Sequence, residues 1–523
     1  MQKTRLKKRP FRRRAVLLQT TRLPRKGAGE PRLRGSGQKE AFMVKSAKRL
    51  RTELDMTHGP LLGKIILFVL PLMLTNLLQV LYNAADMMVV SLSHEPNSVG
   101  AISTTGAFIN LVLNVFIGFS VGANVVVARQ IGAKDDDGVE RAVHTSLLMS
   151  VIFGVFGSGI GIMVSRPVLE LMGVAENLLD LAMTYTFIYF LGVPVLSITN
   201  YCIAILRAKG DTRTPLLVLT ATGLLNVGLN FFFVLVCRMS VDGVAIATSI
   251  SNAVSAVVLL IVLSRDRTAC RFSVKRLRID PRAFRAILGI GIPAGIQGAL
   301  FSISNMLITS SILKVDAASC PPDAAYRPVV GGNGAAANLE GFVYTATNSV
   351  YQASITFTGQ NVGAAEYRRV HRVMACCYGV TFCIAVVVGG IILLLRQPLL
   401  ALYGVVPGAE GSLEAIEYNA AVTRMMIMFI PYFTLAFMEV GSGVLRGLGR
   451  SVTSTAVSLV GSCLLRIVWI YTVFRAVGTL ESIYISYPLS WTLTALVHFT
   501  CCMIVIRHMI RTKTAAPAAR PVG

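Results

Sequence analysis

Charge is scarce in this sequence. Of 523 residues only 15% are Asp, Glu, Lys or Arg, while 54% are hydrophobic and the mean hydropathy is +0.64, which excludes an ordinary soluble domain. Acid is the scarcer sign, 26 residues against 50 basic ones. Catalytic signatures are missing too: there is no HExxH, Gly-x-Ser-x-Gly or P-loop pattern and the six His are dispersed, so nothing supports an intramembrane enzyme. The ten cysteines form no CxxC pair and no His/Cys metal spacing. Most lie inside apolar runs, Cys376 beside Cys377 and Cys501 beside Cys502, and they read as small buried side chains. No cofactor is expected.

What the chain has in abundance is apolar runs. A bilayer core about 30 Å thick needs about 20 apolar residues per helical span, and such stretches recur from Leu61 to Ile506. They give twelve spans, starting near Leu61, Ser98, Ala142, Leu181, Thr214, Gly243, Ala286, Gly331, His371, Ala420, Ser451 and Glu481. The fold class is therefore an all-α integral membrane protein, with the lipid bilayer as its surroundings. Pro71, Pro194, Pro293 and Pro431 fall inside spans, where a missing amide hydrogen bends a helix.

Basic residues set the orientation, because cytoplasmic loops carry excess Lys and Arg. With the amino terminus inside, the inner connections hold Arg129, Lys134 and Arg141; Arg207, Lys209 and Arg213; eight basic residues from Arg265 to Arg285; Arg368, Arg369 and Arg372; and Arg446 and Arg450. The outer ones hold Arg166, Arg238, Lys314, Arg327, Arg396 and Arg475. Both termini are then cytoplasmic, Cys270 faces inside and Cys320 outside. Residues 1–55 form a basic arm and 56–264 a first set of six helices. A basic cytoplasmic linker spans 265–285, a second set 286–510, and a cytoplasmic tail 511–523. Eighteen of the 50 basic residues precede Asp55, in an arm rich in Gly and Pro that reads as disordered. Its apolar run, Ala15 to Leu18, is too short for a signal peptide. Translation beginning at Met43 would leave Lys45, Lys48, Arg49 and Arg51 as an inside anchor. The arm alone would bind phosphates without base selectivity, and no nucleic-acid partner is expected.

The two sets of six repeat three landmarks in the same order. Pro71 is followed twelve residues on by Asn83, and Pro293 twelve residues on by Asn305. Arg129-Gln-Ile-Gly-Ala133 corresponds to Gln360-Asn-Val-Gly-Ala364, and Leu206-Arg-Ala-Lys-Gly210 to Leu445-Arg-Gly-Leu-Gly449. With six spans each, both sets enter from the same side, so the repeat is parallel, with its axis along the membrane normal.

At these residues the chain resembles the multidrug and toxic compound extrusion (MATE) family. Pro71 followed by Leu81-Tyr-Asn-Ala-Ala-Asp-Met-Met-Val-Val-Ser91, the two Gly-Ala turns and Leu445-Arg-Gly-Leu-Gly449 carry the likeness, and Glu340-Gly-Phe with Thr358-Gly-Gln-Asn-Val-Gly-Ala364 resembles the bacterial branch. The resemblance covers roughly residues 56–510. It implies two pseudo-symmetric six-helix bundles around a central cavity, in a bacterial inner membrane. The function it implies is antiport, in which cationic or amphipathic compounds leave in exchange for Na⁺ or H⁺. A monomer is expected. The alternative is a flippase for a lipid-linked precursor, or a polysaccharide exporter, of the wider superfamily. Such proteins often carry a cationic cavity, whereas this chain has intramembrane acids.

An ionisable group within a span costs about 2.5–3.5 kcal/mol on insertion scales and is a functional candidate by default. In the first span Asn76, Gln79, Asn83 and Asp86 fall within an arc of about 80°. The resemblance assigns Asp86 as the carboxylate that couples ion entry to export. In the fifth span Thr222, Asn226 and Asn230 share a face; the family commonly ends this stretch in Asp, so Asn230 removes one possible negative charge. Thr248 completes the candidate cation-coupling set, and Na⁺ could take Asp86, Asn226 and Asn230 as oxygen ligands. Gln79, Asn83, Asn305, Glu340, Tyr344, Tyr351 and Glu439 form the candidate substrate cavity, where aromatic rings near a carboxylate suit an organic cation. Glu340 shares a face with Tyr344, Thr347 and Tyr351. Arg466, mid-span, is expected to be able to neutralise either glutamate, and Arg424 to snorkel from a span end.

Overall fold

The computed structural model describes residues 54–93, 98–172, 174, 176–319 and 326–515. The basic arm up to residue 53, Met43 and Cys320 lie outside them. The described chain is helical, with no strand among the described residues. Twelve rods follow in order: α1 Leu61–Ser91, α2 Ser98–Ala133, α3 Asp136–Leu171, α4 Glu176–Lys209, α5 Arg213–Val236, α6 Val241–Ser264, α7 Pro281–Ser319, α8 Pro328–Gly363, α9 Tyr367–Leu394, α10 (Leu413–Phe429 and Tyr432–Gly447), α11 Ser451–Val477 and α12 Leu480–Ala515.

Ten of these are long and apolar enough to cross a membrane, and α10 makes an eleventh when its halves, bent by 51°, count as one span. The break in α10 falls at Pro431, whereas Pro71, Pro194 and Pro293 sit inside continuous helices. The remaining rod, α8, is rich in Gly, Ala, Ser, Thr and Asn. Its second half, from Ser349 to Asn361, is buried almost without interruption, so protein rather than lipid surrounds it.

Small residues explain how the two sets of six meet. Gly118 and Gly122 on α2 face Gly291 and Gly295 on α7, so closely that a β-carbon on Gly118 would strike the Gly295 backbone and one on Gly122 the Ile287 carbonyl. Each pair is four residues apart, the spacing that lets helix backbones touch in a membrane.

The repeated landmarks meet each other at one end of the bundle. Gly132 packs on the Gln360 carbonyl and Gly363 on the Arg129 carbonyl. The Arg129 guanidinium donates to the Gly447 carbonyl at 3.0 Å, and the Gln360 amide donates to the Ala208 carbonyl at 2.7 Å. Each half's Gly-Ala turn thus grips the other half's Leu-Arg motif. Gly210 and Gly449, which close those motifs, have φ of +95° and +72°, the left-handed conformation that ends a helix and favours glycine. Arg369 adds hydrogen bonds to the carbonyls of His58 and Gly59. Toward the opposite end, the last side-chain bonds between the halves among the described residues are Asn76 to Ser349 and Asn114 to Ser302. The halves are latched at the arginine-rich end.

The basic linker packs back onto this end. Lys209 pairs with Asp266 at 2.6 Å and Arg276 with Glu140 at 2.8 Å. Burial acts to raise the Asp266 carboxyl, but the Lys209 ammonium and the Thr268 donors outweigh it and hold the group below the usual carboxylate range. Cys270 is buried at 2% exposure, so it is a poor reporter of sidedness.

Candidate functional site

The polar stripe of α1 divides in two. Asn76 donates to Ser349 of α8 at 3.2 Å, Gln79 and Asn83 are exposed, and Asp86, one further turn along, meets α5. There Thr222, Asn226 and Asn230, four residues apart, project from one face and are all buried. The Asn230 amide donates to the Asp86 carboxylate and, at 3.4 Å, to the Asn226 side-chain oxygen. Asn226 donates to the Thr248 hydroxyl of α6 at 3.3 Å. Thr222 continues the line, accepting from Ser255 at 2.7 Å.

Asp86, Asn230, Asn226 and Thr248 are therefore one hydrogen-bonded chain across three helices. The side-chain oxygen of Asn230, fully buried, has no partner. No Lys or Arg among the described residues forms an ion pair with Asp86, and the rings of Tyr185 and Tyr189 on α4 lie near it. Beside this chain, Tyr82 of α1 hydrogen-bonds the Thr220 carbonyl at 3.2 Å, with its ring against Gly223, where a β-carbon would clash. A part-buried carboxylate and hydroxyl with buried amide oxygens form a donor set suited to a hard cation or a proton.

The second half differs. Glu340 on α8 accepts from the Arg424 guanidinium of α10 at 2.5 Å. Arg424 also donates to Asn333 at 2.6 Å, and Asn333 in turn accepts from the Tyr484 hydroxyl at 3.0 Å. The guanidinium lies 5.7 Å from the Tyr484 ring and 5.9 Å from that of Tyr487. Arg424 is 7% exposed; it does not snorkel. Eleven residues separate it from Leu413, where α10 begins, or roughly 16 Å at 1.5 Å per residue. That depth is beyond the reach of a side chain from the helix end.

Arg466, expected to neutralise a glutamate, makes no ion pair. It stacks on Tyr487 at 4.3 Å and donates from Nε to Ser490 at 2.9 Å. Glu439 instead has Arg446 as its neighbouring cation. Arg446, counted among the loop arginines from the sequence, is 5% exposed and donates to the Tyr351 hydroxyl and to Gln297 at 3.0 Å. Tyr351 is thus buried under an arginine, Thr347 bonds its own helix, and Tyr344 is 42% exposed. Asn305 is exposed on α7 and is not brought to either cluster. Asn333, Tyr484, Tyr487 and Gln297 are not legible as site residues from the sequence, and Arg424 is misplaced at a span end there because α10 begins at Leu413, seven residues before the expected start.

Comparison with known proteins agrees with this architecture. A relative is the probable multidrug resistance protein YoeA of Bacillus subtilis, 25% identical over 404 residues, covering 75% of this chain and 82% of that protein. Another is an FAD transporter of Shewanella oneidensis, 24% identical over 328 residues, covering 61% of this chain and 70% of that protein. An outward-facing multidrug resistance MATE family transporter of the MOP superfamily superposes with a TM-score of 0.78 at 20% identity, over 87% of this chain and 98% of that structure. The MatE family model matches residues 71–232 and 293–472, beginning in each half at the landmark proline. With more than half its length under that model, the chain belongs to the MatE family.

Proposed function

We propose that this protein is a secondary antiporter that exports organic cations or amphipathic compounds, driven by Na⁺ or H⁺ entering through the Asp86 network. The observation that carries the reading is Asp86 itself, a carboxylate within a span, bonded to a neutral amide and facing no basic side chain among the described residues. Such a charge is retained when it is used. A proton, a metal ion and a cationic compound compete for one group, which is the linkage that antiport requires. With the latched, arginine-rich end assigned to the cytoplasm, the bonds that join the halves gather on that side, and binding of the ion would favour the return of the halves. Similarity to the probable multidrug resistance protein of Bacillus subtilis supports the substrate class.

In proteoliposomes with imposed Na⁺ and pH gradients, Asp86→Asn should insert and fold but lose gradient-driven efflux, while Asp86→Glu retains part of it. Asn230→Asp, which adds the acid the family commonly has there, should change the ion dependence with transport intact. Wild-type efflux by Asp86→Asn would move coupling to the second half, to Glu340 or Glu439. A second reading, a substrate bearing an anionic group, is favoured by three buried arginines against two glutamates in the second half. Adding a flavin nucleotide to the same assay separates the two.

A further inference from the structure

A pocket between α7 and α11, away from the Asp86 network and toward the end of the bundle opposite the latch, is lined by Ser304, Ser311, Lys314 and Arg466 with apolar walls that include Leu307 and Tyr471. Among the described residues two cations and no acid line it. Arg466 is 4% exposed, and of its five N–H donors only the one on Nε is bonded to another of the described residues, Ser490. The carboxylate with which it interacts, Glu340, is already bonded to Arg424. The Tyr487 ring under the guanidinium offsets part of the desolvation cost, yet the terminal nitrogens have no acceptor among the described residues.

Helix geometry singles out the same place. The α-helical turn that carries Arg466, Leu465–Trp469, lies between two π-helical stretches, Leu459–Leu464 and Ile470–Phe474. Such widened turns inside an α-helix are frequent at functional sites. At the pocket's edge, Lys314 is exposed and five residues from the end of α7 at Ser319, about 7.5 Å along the axis and within reach of a headgroup layer. The neighbouring acid on α7, Asp316, is bonded to Arg327 and to the Val329 amide, so it does not neutralise the pocket.

We infer that this pocket binds the anionic group of an amphiphile, a phosphate or phosphate ester held between the Arg466 guanidinium and the Lys314 ammonium, with its apolar part along Leu307 and Tyr471. Guanidinium is suited to this task, because its fork matches two phosphate oxygens. The membrane's own phospholipid and free inorganic phosphate share that chemistry, and the test separates them.

The purified full-length protein in detergent is unfolded thermally in the presence of a phosphatidylglycerol, a phosphatidylcholine with the same acyl chains, or inorganic phosphate. A ligand that binds the folded state raises the midpoint. Phosphatidylglycerol should raise it and phosphatidylcholine should not, and Lys314→Gln, an exposed change that leaves folding intact, should need at least about tenfold more phosphatidylglycerol for the same shift. Arg466→Lys keeps the charge but not the fork and should also weaken the response. A shift with inorganic phosphate alone that is lost in Lys314→Gln would assign the site to free anions rather than lipid. The inference is overturned if neither anion raises the midpoint, if phosphatidylcholine raises it equally, or if both variants respond as the wild type does.

Discussion

In the first half of the molecule the Asp86 carboxylate is bonded to an amide and joined to a line of amides and hydroxyls. In the second half, carboxylates lie beside arginines, Glu340 against Arg424 and Glu439 near Arg446, among tyrosines. One repeat has thus been given two kinds of polar interior. The physics of each is different. An unpaired acid has its charge available to a proton or ion, and so suits reversible binding. A carboxylate closed on a guanidinium is costly to open, since each partner left alone is an uncompensated buried charge. The half with fewer charges is the one whose charge is available for exchange.

The contrast is broken most severely by cutting the Glu340–Arg424 pair. Arg424→Gln leaves Glu340 buried without its cation, and a loss of about 3–5 kcal/mol is expected, read as a lower unfolding midpoint in detergent. The double change Glu340→Gln with Arg424→Gln should recover most of that loss, as two neutral amides can bond each other. If Glu340→Gln alone leaves stability unchanged but selectively weakens transport of cationic compounds, the acid serves recognition and the contrast between the halves narrows.

Next in size is the seam that both halves share. Gly118→Val places side-chain atoms where the Gly295 backbone now lies, and overpacking of this kind costs about 1–3 kcal/mol or more. Gly106→Val on the same helix, with nothing within 4 Å of its added β-carbon, is the control. Equal effects of the two would mean that the close approach of α2 and α7 contributes little.

The smallest effect belongs to the Lys209–Asp266 pair, which ties the linker to the first half. Asp266 is held below its unfolded pKa, so its stabilisation is present above that value and is lost as pH falls through the folded one. Asp266→Asn, which retains an acceptor for Lys209, should cost about 1 kcal/mol at pH 7, and the gap to wild type should begin to narrow below about pH 4 and close only once the pH is under the lowered folded value. Chemical or thermal unfolding at the two pH values measures it.

Much of the bundle is legible along the chain. Apolar runs and basic connections mark the rods, and the three repeated landmarks divide them into two sets. The polar stripe on α1 and the four-residue spacing on α5 mark Asp86, Asn226 and Asn230, because helical periodicity fixes which side chains share a face. The Gly118/Gly122 and Gly291/Gly295 pairs gain their meaning only in the structure, which reveals that they face each other.

Pairings between helices are another matter. That Glu340 is bonded to Arg424 while Arg466 keeps donors with no partner among the described residues depends on how α8, α10, α11 and α12 are rotated against one another, and on a break at Pro431 that aims the two parts of α10 differently. Hydropathy carries no information on such rotations, since any apolar face satisfies lipid equally well. The mutual grip of the landmarks at the latched end is likewise a product of the pseudo-twofold assembly: sequence alone determined that the motifs repeat, and tertiary packing decided that each repeat binds the other half's partner motif, because backbone carbonyls and glycine surfaces become partners only once two helices are brought within van der Waals contact.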